Sequence, residues 1–427
     1  MARRFARNRR RDLPQVKDAF AKLLFGFSLI AVGLAIGLVS AMQQSFPFTT
    51  VSTAVETWRQ LRMHWKNDFG IEPTRLLNPA KHRGRGVTVL EPEKMQPGLT
   101  FMTGFFDPEM AARLITADGT VVHEWPVRFT EIWPNIDERR DRTPITDWNA
   151  FLHGSLALPD GSIVFNFDVG QSLVKMDRCG AIVWKQPRLI HHSIFQADDG
   201  TFWVPLGFDI GQISEDGDVI REISVKELIV EQDLHGIYFI LGPTDQRNHP
   251  NDVEVLSAEL APAFPLFEAG DVMYSMRDTN GIIVFDPDDG RVKWFQHGPW
   301  LRQHDPDFLP DGRISIFDNR PRYQASRIIA IDPVTRATEV LYRGTEDHPF
   351  YTAARGKHQH LPNGNILITE TESGRVFEVT REQEIVWELI NRYDERRVGG
   401  ISNALRYPED YFTVEDWSDC PDPGGSD

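Results

Sequence analysis

Three histidines stand at the same distance ahead of a turn: His153 lies seven residues before Asp160, His192 seven before Asp199, and His304 seven before Asp311. In NDVEVL, which matches HDPDFL, Asn251 takes that place, with His249 two residues upstream. In GKHQHLPNGN it falls to Gly356, and His358 and His360 follow. Arginines accumulate in comparable places, as Arg277 in YSMRDTNG and as Arg320 and Arg322 in FDNRPR. Imidazoles combined with guanidinium forks suit an anionic ligand with several oxygens, such as sulfate, phosphate or carboxylate. A neutral imidazole can also attack an electrophile or carry a proton near pH 7. The plainer reading is that a recurring histidine only ties strands together and that each arginine is solvated. Against it, the residues following the shared position differ (Gly154, Ser193, Asp252, Asp305, Lys357), whereas a structural tetrad repeats its partners.

Such residues converge only if repeated elements carry them to one place. Starting at Leu158, LPDGSIVFNFDVGQSLVKMDRCGAIVW runs through a turn, a strand, a second strand, a polar turn and a strand ending in tryptophan. The order recurs from Pro97, Asp198, Ala269, Leu309 and Leu361, which makes six units. Short strands in fixed order with Gly/Asp turns, spaced roughly 40 to 70 residues apart, mark a propeller or solenoid. The Asp-Gly and Asn-Gly pairs supply the positive φ of tight hairpins. We therefore expect an all-β chain, a six-bladed β-propeller with four antiparallel strands per blade around a central channel. The histidine position heads the first strand of each blade, which lines that channel, so the imidazoles should meet at one mouth. Two long insertions, Pro126–Ala150 and Ser224–Glu268, should form loops or short helices on one face.

The domains read as a basic segment (1–18), an apolar anchor (19–42), a linker (43–85), the propeller (86–389) and a C-terminal tail (390–427). AFAKLLFGFSLIAVGLAIGLVSAM, from Ala19 to Met42, is the only strongly apolar run. It is long enough to cross a bilayer, and the arginines before it should stay in the cytoplasm. A single-pass inner-membrane protein with a periplasmic propeller follows. The competing reading is a cleaved signal peptide, with Val39-Ser40-Ala41 as the cleavage site. The net charge of −16 combines about +6 in residues 1–22 with −22 in the remainder. So acidic a body, with no basic stripe, argues against nucleic acid as a partner. The two cysteines, Cys179 in DRCG and Cys420 in the tail, could form a disulfide in an oxidising compartment or stay as separate thiols. They do not have metal-site spacing.

No GxxxxGK[ST], GxSxG or HExxH occurs, so the sequence offers no nucleotide-sulfate site, serine-hydrolase elbow or zincin motif. DPDDG at Asp286–Gly290 is a hairpin turn rather than a calcium loop, because the remaining ligands are missing.

Four stretches resemble the bacterial arylsulfotransferase family: HHSIFQADDGTFWVP (His191–Pro205), HPNDVEVL with GDVMYSMRDTNGIIVFDPDDGRVKW (His249–Trp294), QHDPDFLPDGRISIFDNRPR (Gln303–Arg322) and QHLPNGNILITETESGRVFEVT (Gln359–Thr380). The resemblance implies a six-bladed propeller that moves a sulfuryl group from an aryl sulfate donor to a phenolic acceptor. It implies no nucleotide donor, cofactor or metal, and a sulfated histidine as intermediate. By the same resemblance His358 is the nucleophile, with His360 as the alternative. His192, His304 and Arg322 clamp the sulfuryl oxygens, and His249 handles the phenol proton. His153, Asn251, Arg277, Arg320 and His360 then contribute to binding. Two other classes stay open: a hydrolase or lactonase propeller with a channel metal, and a non-catalytic periplasmic propeller that binds an anionic ligand.

Overall fold

The computed structural model describes residues 13–43, 74–134 except 75, 150–168, 172–238 and 249–420, together with residue 147 and scattered positions between 45 and 65. The first twelve residues of the expected basic segment lie outside the described residues, as do parts of the linker, of both long insertions and of the tail. The chain forms two compact units, Met1–Glu72 and Pro73–Asp427.

The first unit contains a 30-residue helix, Leu13–Met42, which begins ahead of the apolar run. Its segment Asp18–Met42 is 25 residues long and apolar enough to cross a membrane. At a rise of 1.5 Å per residue that is about 38 Å, more than the hydrocarbon core of a bilayer requires. Leu23, Phe27, Leu34 and Met42 are each at least 70% exposed. Apolar on every side, the helix has no protein face to bury and needs an apolar surrounding. A membrane span and a signal sequence both meet that description.

The second unit is the propeller. Blades 2 to 5 each use four consecutive antiparallel strands, whose innermost are Leu152–Ala157, Phe195–Gln196, Pro250–Val255 and His304–Phe308. Blade 6 runs outward from Lys357–His360 to Ile385–Ile390 and adds Gly86–Leu90 as a fifth strand on its outer edge. In blade 1 the innermost strand comes from the far end of the chain: Ile401–Tyr407 pairs with Leu99–Phe106. The ring is thus closed twice, once from each end of the unit. An end of the propeller at Leu389 leaves out the strand that lines the channel in blade 1, so the expected 86–389 boundary is too short.

The expected turns are present. Asp160, Asp199 and Asp311, and Asn363 in blade 6, each accept the backbone N–H two residues on, closing the first hairpin of its blade. Between blades, side chains such as Phe101, Trp125, Phe165, Tyr274 and Trp387 are fully buried, and the sheets pack face to face on them. The insertions supply short helices, Phe129–Ile132, Val225–Glu231 and His235–Tyr238, as expected of their described parts. The tail folds back on blades 1 and 2: Trp417 packs 5.7 Å from Trp125, and Tyr411 donates its hydroxyl to Ala157 O. Cys179 and Cys420 are joined by a disulfide with their Cα atoms 5.4 Å apart.

Candidate active site

At one mouth of the channel the inner strands break their regular pairing where the histidines stand. Register shifts occur between Leu152 and Ser155, between Pro250 and Asp252, and between His304 and Asp307. A bulge of this kind re-aims a side chain that the strand would otherwise direct elsewhere. His192, His249, Arg302, Asp305 and Arg355 also hold positive φ. Each such non-glycine residue costs roughly 1–3 kcal/mol and persists only where its surroundings fix it. Gly154 admits no side chain: a Cβ there would stand 2.0 Å from His192 O, so the strands of blades 2 and 3 touch through backbone. Gly356 occupies the ring position in blade 6 at φ +94, where a Cβ would meet the Phe317 ring.

Five imidazoles gather there. The His192 ring lies 4.1 Å from His153, 4.7 Å from His191, 4.9 Å from His249 and 6.5 Å from His304, centroid to centroid. Their hydrogen bonds imply tautomers. Asn319 donates Nδ2 to Thr352 O (3.1 Å) and Arg355 O (2.7 Å), so its Oδ1 must accept, and His304 donates Nδ1–H to it at 2.7 Å. The His304 Nε2 lone pair accepts the Arg355 backbone N–H at 3.2 Å. On the other side, His191 Nε2 donates to Gly207 O at 2.9 Å. With His191 neutral, its Nδ1 accepts from His192 Nδ1 at 2.6 Å, and His192 Nε2 then accepts from His249 Nε2 at 3.1 Å.

Burial is the main cause that holds the cluster uncharged. It pushes His304 down to about 3, with Arg277 and His249 adding to the effect against the bond to Asn319. His249 falls to about 4, through burial first and then Arg277. Burial also takes His153 and His192 well below the usual histidine range. His191 is lowered too, but the Gly207 carbonyl and Asp168 work the other way.

The arginines divide. Arg277 joins the cluster, its Nε bonded to Asp278 at 2.9 Å, and Arg302 reaches the same carboxylate at 3.2 Å. Arg320 instead stacks 4.3 Å over Tyr323, and Arg322 is exposed beside it. In their stead Arg355 comes from the loop before blade 6, bonded to Asp168 of blade 2 at 2.5 Å, with Asp168 3.5 Å from His153 Nδ1. Asn251 is fully buried and donates Nδ2 to Gln303 O, which makes it a tie between blades 4 and 5.

His358 and His360 are not among the five imidazoles. One layer down the channel, Lys357 Nζ bridges Asp252 (3.0 Å) and Asp305 (2.6 Å). His358 is behind it in the wall, fully buried, with Nδ1 3.0 Å from Asp305 and Nε2 2.6 Å from Ser315 Oγ. Both its nitrogens are engaged, so it serves as an anchor between blades. The His360 ring is 5.4 Å further along, lining a chamber of about 1270 Å³ that opens at the opposite mouth. Asp305, Asp307 and His358 bring three donor atoms within 4.8 Å, as a metal site would. The Lys357 ammonium already supplies a cation there, and both Asp305 oxygens are taken by N–H donors. Burial also raises Asp307 and Glu254 well above the ordinary carboxylate range.

Sequence reasoning overlooked His191, Asp168, Asn319 and Arg355. The His191-His192 dipeptide and the Asn of FDN were visible signals, while Arg355 and Asp168 lie 187 residues apart and carry none.

A family model described as arylsulfotransferase (ASST) matches residues 154–392. No curated protein matches the chain. Among solved structures, a protein of unknown function from Bacteroides caccae is 12% identical with a TM-score of 0.45, covering 68% of this chain and 93% of that one. TolB from Acinetobacter baumannii is 13% identical with a TM-score of 0.44, covering 73% and 67%. A catalytically inactive virginiamycin B lyase from Staphylococcus aureus is 13% identical with a TM-score of 0.41, covering 71% and 87%.

Proposed function

The chain belongs to the arylsulfotransferase family, and from that premise we propose that it transfers a sulfuryl group from an aryl sulfate to a phenol through a histidine, without a nucleotide donor. The observation that carries the reading is His304. Asn319 holds the proton on its Nδ1, which leaves a lone pair on Nε2, and the single hydrogen bond this lone pair accepts, from the Arg355 amide, would be exchanged for the sulfur. In this reading His304, rather than His358, is the nucleophile.

In the first step His304 Nε2 attacks sulfur in line. The S–O bond to the aryl group breaks, and its electron pair leaves with the phenolate. In the second step the acceptor oxygen attacks the same sulfur, the S–N bond breaks, and its pair returns to Nε2. The acceptor's proton goes to His249 Nδ1, which is unprotonated in the neutral cluster, and passes from there to the phenolate that the next donor releases. Dividing the transfer in this way is covalent catalysis. Arg277, Arg355 and His153 would surround the sulfuryl oxygens, where fixed donors contribute most of the rate.

The test is release of the first phenol from an aryl sulfate, with a second phenol and EDTA present. We expect release that depends on the acceptor and follows ping-pong kinetics. His304→Ala should lower it by roughly 10³-fold or more. His358→Ala should cost roughly 1–3 kcal/mol of stability through the stranded Asp305, yet retain turnover in the folded fraction. Loss in His358→Ala with full activity in His304→Ala would return the nucleophile to blade 6. Activity abolished by EDTA alone would favour a metal hydrolase built on Asp305, Asp307 and His358.

We further propose that the helix is retained as a single-pass anchor and that the propeller lies outside the cytoplasm. The eight basic residues in the first 22 and the disulfide support this orientation.

A further inference from the structure

Five imidazoles, two of them buried and three half-buried, are more than nucleophile and acid–base partner require, and the three half-buried ones form a directed chain. His191 Nε2 is 2.9 Å from Gly207 O, His191 Nδ1 is 2.6 Å from His192 Nδ1, and His192 Nε2 is 3.1 Å from His249 Nε2. The Gly207 carbonyl can only accept, so His191 Nε2 keeps its proton in every state. Each other bond in the chain can hold its proton at either end. We propose that His191, His192 and His249 form a proton relay, in which His191 is the positioning residue that stores the phenol proton from the end of one turnover to the start of the next.

Two states satisfy the geometry. In the first, all three rings are neutral: His192 carries its proton on Nδ1 and His249 on Nε2. In the second, His191 is doubly protonated, His192 carries its proton on Nε2 and His249 on Nδ1. Going from second to first, His249 Nδ1 gives its proton to the departing phenolate oxygen. His249 Nε2 then takes the proton of His192, and His192 Nδ1 takes that of His191. One proton leaves, one positive charge disappears from His191, and no other group is needed. The acceptor phenol drives the same shift in reverse. The store is set away from the other cations: Arg277 and Arg302 act on His249, at the opposite end of the chain. Around His191 stand the Gly207 carbonyl and the Asp168 carboxylate, which favour a cation there, and His153, His192 and His249, which oppose it. Arg355, bonded to Asp168, tempers that carboxylate's effect.

The kinetic part of the test rests on the sulfotransfer reading; the spectroscopic part does not. His191→Gln can still donate to Gly207 O and accept from His192 Nδ1, but it cannot hold a second proton. With a donor whose phenol is weakly acidic, the variant should lose roughly tenfold or more in kcat, within the range of general acid catalysis. KM should not change, and a donor that releases a stable phenolate should give its first-turnover burst of phenolate nearly as fast as with the wild type. Equal kcat for variant and wild type on both donors would overturn the relay while leaving sulfotransfer intact. In the full-length protein with ¹⁵N-labelled histidine rings, assigned through His191→Gln, His192→Gln and His249→Gln, lowering the pH should move the His192 proton from Nδ1 to Nε2 as His191 becomes doubly protonated. A His192 that keeps one tautomer throughout, or that is itself doubly protonated first, overturns the relay whether or not any aryl sulfate is turned over. A wild-type protein inactive on every aryl sulfate overturns the functional reading alone.

Discussion

Burial holds His304 at about 3 and His249 at about 4 in the folded chain, whereas an unfolded histidine titrates near 6.5. Between those values the unfolded state binds more protons than the folded one, so stability falls as the pH falls. His304→Gln removes one such group. Relative to the variant, the wild type should lose up to about 1.4 kcal/mol per pH unit as the pH drops from 6.5 towards 3. Paired denaturation curves at several pH values would measure this, and parallel curves would mean that His304 is solvated. The acidic layer below responds in the opposite sense. Asp252 is raised to about 6, by burial against the pull of Lys357, so its proton is retained better folded than unfolded. Comparing a variant with the wild type, rather than reading one profile, separates the two contributions. Residue by residue, the repeat made His153, His192, His249 and His304 legible, because a fixed offset from a turn is a property of sequence. It gave no means of choosing the nucleophile. That depends on which ring nitrogen is held, and the holder of His304, Asn319, lies just past the end of the neighbouring strand Ile314–Asp318, 15 residues away.

The inner strands do more than line the channel. Their bulges and left-handed residues turn the imidazoles towards one another, and this requires that neighbouring strands approach closely. Gly154 is where blades 2 and 3 do so, at His192 O. Gly154→Ala must push that carbonyl aside, at a cost of roughly 1–3 kcal/mol for overpacking. The displaced segment carries His192, so we expect the variant to lose phenol-release activity beyond what its lower Tm explains; unchanged activity and Tm would show that the strands can part freely. Legibility was uneven at this scale. Hairpin turns announced themselves through Asp-Gly and Asn-Gly, and five of the six inner strands followed. The sixth, Ile401–Tyr407, escaped because it lacks the turn and histidine pattern and is assigned to blade 1 only by pairing with Leu99–Phe106. Arg320 and Arg322 show the same limit. Their place after FDN fixed their strand, not the direction in which the following loop leaves it.

Across the whole molecule, the disulfide joins residues 241 apart and fastens the tail to a turn of blade 2. Closing so long a loop should stabilise the fold by roughly 2–4 kcal/mol, so Cys420→Ser should lower the Tm by several degrees. If the propeller is outside the cytoplasm, a membrane-impermeant thiol reagent should label the protein in spheroplasts only after reduction. Labelling without reduction would mean separate thiols, and no labelling even after reduction would place the propeller inside. The sequence by itself determined a six-bladed propeller, an apolar helix ahead of it, the family, and four histidines bound for one channel mouth. Each of these is written as periodicity, composition or motif, which the chain carries before it folds. The tertiary structure decided which strand closes the ring, that the two cysteines meet, which arginines face the imidazoles, and what holds each ring nitrogen of the channel histidines. Those depend on contacts between blades, where burial and the partner across the gap set the protonation of each ring, and no spacing along the chain encodes that.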